Sequence, residues 1–391
     1  MPVTQVHWLT TPEEFTPWVD AWRDLLRRSP TPPGPYHDPA WILGCWHYPG
    51  NRVAVGLIAE GSRLRVGLVC KCETDTGAAL LVPARLLSFT PRLAAAHPAC
   101  LVAVADDDPP TDLTQLLDHS VRHFRWQVMF LNFLDPSVAW FETAVRNSAT
   151  ARGWCIREGK SSTDAFIDTI GGTAEYLQRR SKQFRSNQRR ARNQLLANGA
   201  LTTVELARSD VPHTAIADEL LDVFDRGWQR DNINGALRPA VRQFVLNLLA
   251  GMREEGLLRV YFLRLNGRAI AFEFGFVDRH AGGLYYACSR GYDAAWKKQS
   301  PGNLLSEFII DDIASIGLRG IYLGDIHMCA ETLYKLAWLT AEWPVRNLMI
   351  VRPHTAYGLL DTCYEKFAWF QRLWWKLRLG ERLRRRLTPT T

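Results

Sequence analysis

The chain has 391 residues, of which 47% are hydrophobic and 22% are charged, and its formal net charge is +7. This composition excludes a disordered protein, and the length exceeds that of one ordinary hydrophobic core, so we expect two domains of roughly 150 to 200 residues. The moderate positive charge indicates an anionic ligand or surface without saying which.

The start of the sequence does not have the pattern of a targeting signal. It shows no basic stretch followed by an apolar one, and Glu13, Glu14 and Asp20 follow soon after. No uncharged apolar run approaches the roughly 20 residues that span a bilayer. The eight cysteines show neither a disulfide framework nor a zinc spacing. We therefore expect a cytoplasmic protein with reduced thiols.

The first half of the sequence is typical of one α/β unit. Apolar residues at helical spacing and the helix start Asp38-Pro39-Ala40-Trp41 indicate two helices, and Glu60-Gly61-Ser62 joins two strands as a hairpin. In chain order we predict a helix at 13–26, a Pro-rich turn at 30–35, a helix from 38, strands at 53–59 and 64–70, a polar loop at 106–110, a helix at 113–124 and a strand at 128–133.

The second half repeats this order, which favours an internal duplication. We predict a strand at 201–206, helices at 215–229 and 238–254, strands at 259–265, 269–277 and 284–289, a helix at 302–316, a strand at 320–324, a helix at 334–338 and a strand at 345–351. This order resembles that of the GNAT acyltransferase fold. The predicted fold class is therefore α/β (α+β), with tandem GNAT-like domains, each a mixed, mostly antiparallel sheet flanked by helices.

A basic amphipathic segment connects the two halves, and we predict it as a single bridging helix at 175–195. Leu177, Phe184, Ala191 and Leu195 share one helix face, and most of the basic residues lie on the other, namely Arg179, Arg180, Lys182, Arg185, Arg189, Arg190 and Arg192. This segment is either a solvated helix that packs one apolar stripe, or a cationic rim for a nucleotide, a tRNA or an anionic acceptor.

The remaining ranges follow from this division. We expect an N-terminal GNAT-like domain at 1–160, a C-terminal GNAT domain that carries the motifs at 196–360, and a basic aromatic tail at 361–391. Within the tail, residues 367–387 form a second basic amphipathic stretch. This stretch would either lie on the anionic surface at the inner face of the membrane or dock on the body of the protein.

The segment from Tyr285 to Trp338 is the most informative part of the chain. After an aromatic strand, Gln299, Gly302 and Leu304 form a Q-x-x-G-x-L run at the start of a helix, where backbone N–H groups can hold a phosphate. The predicted binding residues for an anionic cofactor are Gln299, Ser300, Gly302, Asn303 and Leu304. The alternative is that Ser300-Pro301-Gly302 only starts a helix.

These motifs are similar to those of a known family. Tyr286 with Tyr292-Asp293, Ser300-Pro301-Gly302 with Leu304-Leu305, Asp325, and Tyr334-Lys335 with Trp338 resemble the CelD-type, BioF-associated acetyltransferases, a GNAT subgroup related to the Fem peptidyltransferases. The likeness covers about residues 35 to 350 and is specific from 261 to 338. The chain departs from the family pattern between Asp325 and Tyr334, where residues 326–333 intervene, so we expect a divergent acceptor pocket.

The resemblance implies transfer of an acyl group from acyl-CoA, or of an aminoacyl group from aminoacyl-tRNA, to an amine or a hydroxyl, without a metal. We favour Asp325 as the base or acceptor-binding group, with a helix N-cap as the alternative role. His327 competes as base because its unperturbed pKa is near neutrality, and Glu273 is a further candidate. Tyr334 would donate a proton to the leaving thiolate or only pack.

Three residues would contact the acceptor. Tyr292 and Asp293 would line its side of the site, and Lys335 would neutralise a phosphate or carboxylate on it. The sequence has no G-x-S-x-G, GxxxxGK[ST], HExxH or GxGxxG motif, which argues against hydrolase, NTPase, zinc-enzyme and dehydrogenase functions.

The expected function is therefore an acyl-CoA-dependent N- or O-acyltransferase, with acetyl-CoA as the favoured donor. Its acceptor would be a small metabolite or a cell-envelope or polysaccharide precursor, and we expect no DNA partner. The first alternative is a Fem-like aminoacyl-tRNA-dependent transferase. The second alternative is a non-catalytic adaptor at a membrane surface, with which the basic aromatic tail is consistent.

Overall fold

The structure is a computed structural model that describes residues 4–29, 34–48, 52–75, 84–88, 103–105, 109–134, 139–159, 162–197, 203–206, 211–227, 242–278, 283–325 and 333–366. These residues form a mixed sheet of fourteen strands with helices packed on it. The basic aromatic tail predicted at 367–387 lies outside them, so its two alternatives stay predictions. Within the described part of the chain, no helix has the length and apolar character needed to cross a bilayer.

The first half contains the predicted helices and meander and several further elements. Their bounds are β1 Thr4–Leu9, α1 Pro12–Phe15, α2 Val19–Arg28, α3 Pro39–Trp46, β2 Val53–Glu60, β3 Arg63–Asp75, β4 Ala84–Ser88, β5 Ala103–Ala105, α4 Pro109–Phe124, β6 Val128–Leu134, α5 Ala139–Ala151, β7 Cys155–Glu158 and β8 Ser162–Asp168. The helix predicted at 13–26 is interrupted by a 3₁₀ turn at Thr16–Trp18. As predicted, Asp38 caps α3, because its side chain accepts a hydrogen bond from the Ala40 N–H at 2.9 Å.

The second half follows its predicted order closely. Its elements are α6 Gly172–Gln178, α7 Lys182–Leu196, β9 Thr203–Leu206, α8 His213–Asp225, α9 Arg242–Glu254, β10 Leu258–Leu265, β11 Arg268–Val277, β12 Leu284–Tyr292, α10 Pro301–Ser315, β13 Gly320–Asp325, α11 Leu333–Trp338, β14 Ala341–Val351 and α12 Ala356–Lys366.

The same strand arrangement occurs in both halves, which confirms the predicted tandem fold. In the first half β2, β3 and β4 form an antiparallel meander, and after α4 the strand β6 pairs parallel to β4. In the second half β10, β11 and β12 form the meander, and after α10 the strand β13 pairs parallel to β12. Each half is therefore a meander, a helix and a parallel strand.

One long strand joins the two halves into a continuous sheet. Residues Ala341 to Val345 of β14 pair with β8, and residues Arg346 to Val351 pair with β6. On the other edge of β14, Leu348 to Val351 pair with β7. On its other edge, β8 pairs with β13. Strand pairing therefore crosses the predicted boundary between 1–160 and 196–360, because β14 follows the second meander in sequence but extends the first sheet.

The bridging segment predicted as one helix at 175–195 is two helices, and this is a correction. The chain breaks between α6 and α7, where the Ser181 side chain caps α7 by accepting from the Phe184 N–H at 3.2 Å. Arg180 leaves the helical path and donates to the Leu339 carbonyl at 2.8 Å. The predicted apolar face is confirmed, since Leu195 is buried in the core that lies under α10, Leu177 and Phe184 pack against that core, and Ala191 is also buried.

A half-buried carboxyl lies where the two halves meet. Asp278, at the end of β11, accepts a hydrogen bond from the Leu284 N–H at 2.9 Å through one oxygen. Its other oxygen is buried and has no hydrogen-bond partner among the described residues. Gly34, in the first half of the chain, lies close to this oxygen. If Gly34 carried a β-carbon, that atom would stand 3.7 Å from the oxygen. Burial raises the pKa of Asp278 to about 6.

This carboxyl makes stability depend on pH. Because the pKa of Asp278 in the folded state lies above the unfolded value of about 4, the folded protein binds the proton more tightly, and its stability falls as the pH rises from about 4 to about 6. Relative to Asp278→Asn, we expect wild-type protein to lose about 2 kcal/mol of unfolding free energy between pH 4 and pH 7. Denaturant unfolding at both pH values measures the loss, with the exposed Asp225→Asn as control. A constant difference between wild type and Asp278→Asn would contradict this.

Candidate active site

The site is a cleft between the two parallel strands of the second half. β12 and β13 pair over only three residue pairs, from Leu284 opposite Gly320 to Tyr286 opposite Tyr322. Beyond Tyr286, β12 continues beside β11 to Tyr292, whereas β13 continues beside β8 to Asp325. Among the described residues, no strand pairs with the β13-facing edge of β12 from residue 287 onward.

Irregular pairing on both strands accompanies this divergence. On β12, Ser289 lies opposite Phe274 and Ala287 opposite Gly275, so Cys288 is an extra residue. On β13, Leu323 is extra, and the following Gly324 has a φ of +72°, which glycine adopts at low cost. Because bulges bend strands and increase their twist, the two edges separate. The backbone groups of the separated part of β12 are therefore open to a ligand.

The start of α10 lies at this cleft and contains the predicted cofactor-binding residues. Ser300 adopts a left-handed conformation, with φ 51° and ψ 56°, immediately before Pro301. The Gln299 side-chain oxygen is buried without a hydrogen-bond partner among the described residues. A β-carbon added at Gly302 would meet only the Arg290 side chain, at 3.9 Å, so space remains above this turn.

Two of the predicted residues are engaged in packing. The Leu304 side chain is buried in the core below α10, so only its backbone N–H can contribute to an anion site. The Asn303 side-chain oxygen accepts a hydrogen bond from the Trp338 indole N–H at 3.3 Å. This contact holds α11 against the first turn of α10.

A buried ion pair lies under the turn. Glu273 on β11 is directly opposite Arg290 on β12, and the Arg290 guanidinium donates to one Glu273 oxygen. Glu273 is 1% exposed, and its second oxygen has no hydrogen-bond partner among the described residues. Burial alone would lower the pKa of Arg290, but the Glu273 carboxylate outweighs it and raises the pKa, so the guanidinium stays charged.

The predicted proton donor contacts the same arginine. The Arg290 guanidinium lies 5.2 Å from the ring centroid of Tyr334, on α11. Burial raises the pKa of Tyr334 despite the opposing charge of Arg290, so its hydroxyl stays protonated. The neighbouring Lys335 is buried. The structure thus brings together Glu273, Tyr334 and the turn at Gly302 around Arg290.

An aromatic stack fixes α11 beside the cleft. The Trp338 ring is stacked on Tyr176 with centroids 5.5 Å apart, and it meets Phe184 edge to face at 5.2 Å. The Tyr176 hydroxyl donates to the Trp338 carbonyl at 2.7 Å. Helices α6 and α7 therefore hold the helix that carries Tyr334 and Lys335.

The other predicted residues lie in different surroundings. Tyr292 is half-buried at the end of β12 and packs against the core under α10. Asp293 is 8% exposed, pairs with Arg226 and caps the following 3₁₀ turn by accepting from the Ala295 N–H at 2.9 Å. Its carboxylate therefore has a structural role, and its contact with an acceptor stays a prediction.

For the favoured base, Asp325, the structure describes the position in its strand. Asp325 ends β13 as predicted, opposite Asp164 of β8 in the strand ladder. His327 lies outside the described residues, as does most of the insertion that separates Asp325 from Tyr334. Their catalytic roles stay predictions.

Sequence reasoning missed Arg290, the residue that the other groups surround. The available signal was an arginine in an otherwise apolar and aromatic strand, at a position whose neighbour on β11 is the equally unusual Glu273. A charged residue on the buried face of a strand requires an opposite charge beside it.

A cationic surface borders the cleft, and it consists of exposed Lys182, Arg185, Arg189 and Arg190 on α7 together with exposed Lys297 and Lys298. The two lysines belong to the 3₁₀ turn at Ala294–Gln299, which packs against α7 and leads into α10. Among the described residues, none of these six cations forms an ion pair, whereas Arg192 pairs with the buried Glu307. The surface can therefore attract an anionic ligand.

Comparison with protein families identifies the domain that contains this cleft. Residues 182–335 match the family model for an acetyltransferase (GNAT) domain. A search of curated proteins finds no match. The matched residues begin at α7 and include both strands of the cleft, α10 and the ion pair. The match supports a GNAT-type acyltransferase.

Solved structures share the fold over most of the chain. The structure of FemX aligns with a TM-score of 0.56 at 11% identity, covering 91% of this chain and 99% of that one. A protein of unknown function from Bacteroides thetaiotaomicron gives 0.55 at 12% identity, covering 89% and 99%. The C-terminal domain of a putative lysylphosphatidylglycerol synthetase from Agrobacterium fabrum gives 0.51 at 14%, covering 89% and 96%. At these identities the likeness shows a common fold.

The buried ion pair predicts a strong and non-additive effect on stability. Arg290→Met leaves the Glu273 carboxylate buried without its partner, and we expect it to lose about 3–5 kcal/mol of unfolding free energy. Adding Glu273→Gln removes the uncompensated charge, so the double variant should be more stable than Arg290→Met alone. Denaturant unfolding of the single and double variants measures both effects. A loss below about 1 kcal/mol for Arg290→Met would show that this pair is not buried as described.

Proposed function

We propose that the protein is an acyl-CoA-dependent N- or O-acyltransferase that modifies a small metabolite or a cell-envelope or polysaccharide precursor. The observation that carries this proposal is the opening between β12 and β13, with the first turn of α10 at its mouth. A thioester carrier has an anionic end that suits a helix N-terminus and a long amide-containing arm that can bond to an open strand edge. The GNAT match over residues 182–335 supports the same reaction class.

The turn at Gly302 would hold the diphosphate of the carrier. Pro301 has no N–H, and the Asn303 N–H donates to the Ser300 carbonyl at 2.9 Å, so the Gly302 N–H is the donor of this turn that an anion would meet. The helix dipole also favours an anion there. Gly302 leaves room for a phosphate to approach the backbone, since its missing β-carbon would meet nothing closer than 3.9 Å. Arg290 lies beside this position and keeps its positive charge. The arm of the carrier would follow the open edge of β12 toward Cys288.

Acyl transfer requires that one proton be removed and another supplied. When the acceptor attacks the thioester, the C–S bond breaks, a C–N or C–O bond forms, and the acceptor loses a proton. Asp325 would take that proton, with His327 as the alternative base or acceptor ligand. Glu273 is less suited to this role, because its oxygen that does not bond to Arg290 is buried and out of reach of an acceptor. Tyr334, whose hydroxyl stays protonated, would donate to the leaving thiolate.

Aminoacyl-tRNA is the second candidate donor, and the cationic surface favours it. The exposed cations of α7 are Lys182, Arg185, Arg189 and Arg190. At a helical rise of about 1.5 Å per residue, this row is longer than the contact surface of a single terminal phosphate. Phosphate contacts of this kind bind RNA with strong salt dependence. Against this donor, α8 and α9 are ordinary helices of 13 residues each, whereas the Fem proteins that the chain resembles have a long helical arm. A non-catalytic adaptor would bind neither donor.

Binding measurements separate these three functions. Acetyl-CoA, longer acyl-CoAs and charged tRNA should be compared by thermal shift, because a ligand that binds only the folded state stabilises it. We expect stabilisation by acyl-CoA. Arg189→Glu combined with Arg190→Glu should leave that stabilisation unchanged and weaken any binding of tRNA. Stabilisation by charged tRNA alone would favour the second donor, and stabilisation by none would favour the adaptor.

The turn at Gly302 gives a sharper test of the carrier site. Gly302→Ala should leave the fold as stable as wild type or stabilise it by about 0.5–1 kcal/mol, because alanine is the better helix residue and its β-carbon fits. It should weaken acetyl-CoA binding by about tenfold, and Gly302→Leu should abolish it. Isothermal titration calorimetry measures both, with Ser315→Ala at the far end of α10 as control. Unchanged affinity in Gly302→Leu would place the carrier elsewhere.

Tyr334 can be tested by removing only its hydroxyl. Tyr334→Phe should lower kcat by about 100-fold with little change in KM, because a general acid acts in the transition state and not in substrate binding. Thiol release from acetyl-CoA gives the rate, and Tyr357→Phe on α12 provides the same change outside the cleft. If kcat is unchanged in Tyr334→Phe, the leaving thiolate takes its proton from another group.

A further inference from the structure

The cationic surface beside the cleft carries charge of one sign. Its exposed members are Lys182, Arg185, Arg189, Arg190, Lys297 and Lys298. Neither α7 nor the 3₁₀ turn at Ala294–Gln299 contains an acidic residue. On α7, the side-chain amides of Gln183 and Asn187 bond to each other at 2.9 Å. The positive charge is therefore not compensated within these two segments, and it can act on a partner.

Three of these cations form a straight row along one helix. Lys182, Arg185 and Arg189 are spaced three and four residues apart, so they share one face of α7. The opposite face packs inward through the half-buried Phe184 and the buried Leu195. At a rise of about 1.5 Å per residue, the row is about 10 Å long. All three side chains are exposed, so the whole row is open to a partner.

The row lies on the side of the cleft where the carrier would enter. Helix α7 packs against α10 and against the 3₁₀ turn at Ala294–Gln299. That turn leads through Ser300 to Gly302, where we place the phosphate of the carrier. A ligand that rests on α7 would therefore be part of the acyl donor and not of the acceptor.

The surface offers more cations than CoA needs. Lys297 and Lys298 lie five and four residues before Gly302 and can attract the phosphates of CoA to that turn. The row on α7 and the neighbouring Arg190 are then left for other anions. A donor that also uses the row has several negative charges spread over about 10 Å.

The surroundings of the row favour an acidic protein over RNA. Proteins bind the single-stranded ends of RNA by stacking the bases on exposed aromatic rings. The aromatic residues of α7 and of the 3₁₀ turn are Phe184 and Trp296, and both pack against the core under α10. The Phe184 ring also meets Trp338 edge to face at 5.2 Å. In these two segments the surface presents cations for carboxylates, and its rings serve the core.

We propose that the cationic surface binds an acidic carrier protein that presents the acyl group on a phosphopantetheine arm. Such docking rests on the proposed acyltransferase function, because the carrier protein supplies the acyl group. Carboxylates of the carrier protein pair with Lys182, Arg185 and Arg189. The phosphate of the arm binds at Gly302, and the arm follows the open edge of β12. CoA has the same arm, so the cleft accepts both donors and the surface favours the carrier protein.

The transfer step is the same with either donor. The C–S bond of the thioester breaks, and a C–N or C–O bond forms between the acyl group and the acceptor. Asp325 takes the proton that the acceptor loses, and Tyr334 gives a proton to the thiolate. The thiol stays on the arm of the carrier protein, which then leaves the surface.

Binding of two donors with the same arm tests the docking. Holo acyl carrier protein loaded with an acetyl group, and separately acetyl-CoA, are titrated into wild type and into Arg185→Glu combined with Arg189→Glu. This double variant should bind the acetylated carrier protein at least about tenfold more weakly, because two attractions become repulsions. Its Kd for acetyl-CoA should change by less than about threefold, since the turn at Gly302 is intact. Isothermal titration calorimetry measures all four affinities.

A matched variant controls for net charge. Arg27→Glu combined with Arg122→Glu reverses the same number of charges on α2 and α4 of the first half, where both side chains are exposed. It should bind both donors as wild type does. Raising the salt from about 50 to about 300 mM should weaken binding of the carrier protein to wild type by about tenfold, and much less to Arg185→Glu combined with Arg189→Glu.

The outcomes separate the docking from the proposed function. If wild type binds acetyl-CoA but not the carrier protein, or if Arg185→Glu combined with Arg189→Glu binds the carrier protein as tightly as wild type does, the docking is overturned and the acyltransferase stands. Binding of charged tRNA in place of the carrier protein would overturn it in favour of RNA. If wild type binds neither acetylated donor, the proposed function fails and the docking fails with it.

Discussion

The structure around the candidate site depends on the short parallel pairing of β12 and β13. Three residue pairs hold the two strands together at Leu284 to Tyr286, and an extra residue on each strand then turns their edges apart. β12 stays bound to β11 and β13 stays bound to β8, so both edges are supported from outside while the space between them is open. A ligand that enters this cleft meets backbone groups, which need a hydrogen-bond partner.

The two halves of the molecule support this arrangement in different ways. The partner of β13 comes from the first half of the chain, because β8 lies between β13 and β14. The first half thus contributes a wall of the cleft, although the matched GNAT domain begins only at residue 182. Helices α6 and α7 add a second support through the Trp338 stack, which fixes α11. The position of Tyr334 therefore depends on segments that are distant in sequence.

The order of elements could be predicted from the sequence because hydrophobic periodicity and turn residues act locally. Alternating strands, the hairpin at Glu60-Gly61-Ser62 and the helix start at Pro301 required no tertiary information. The break of the bridging helix at Ser181 and the pairing of β14 with both halves could not be predicted in this way, since each depends on contacts with distant strands or helices. Arg290 was missed for the same reason, because its role follows from its cross-strand neighbour Glu273.

We propose that an acyl carrier binds in the cleft of the second half and not at the matching parallel pair β4 and β6 of the first half. Hydrogen–deuterium exchange with and without saturating acetyl-CoA tests it most directly. We expect protection of the open edge of β12 at 287–292 and of the first turn of α10 at 302–304, with no change at 84–88 and 128–130. Protection confined to the first half, or none at a concentration that saturates binding, would contradict it.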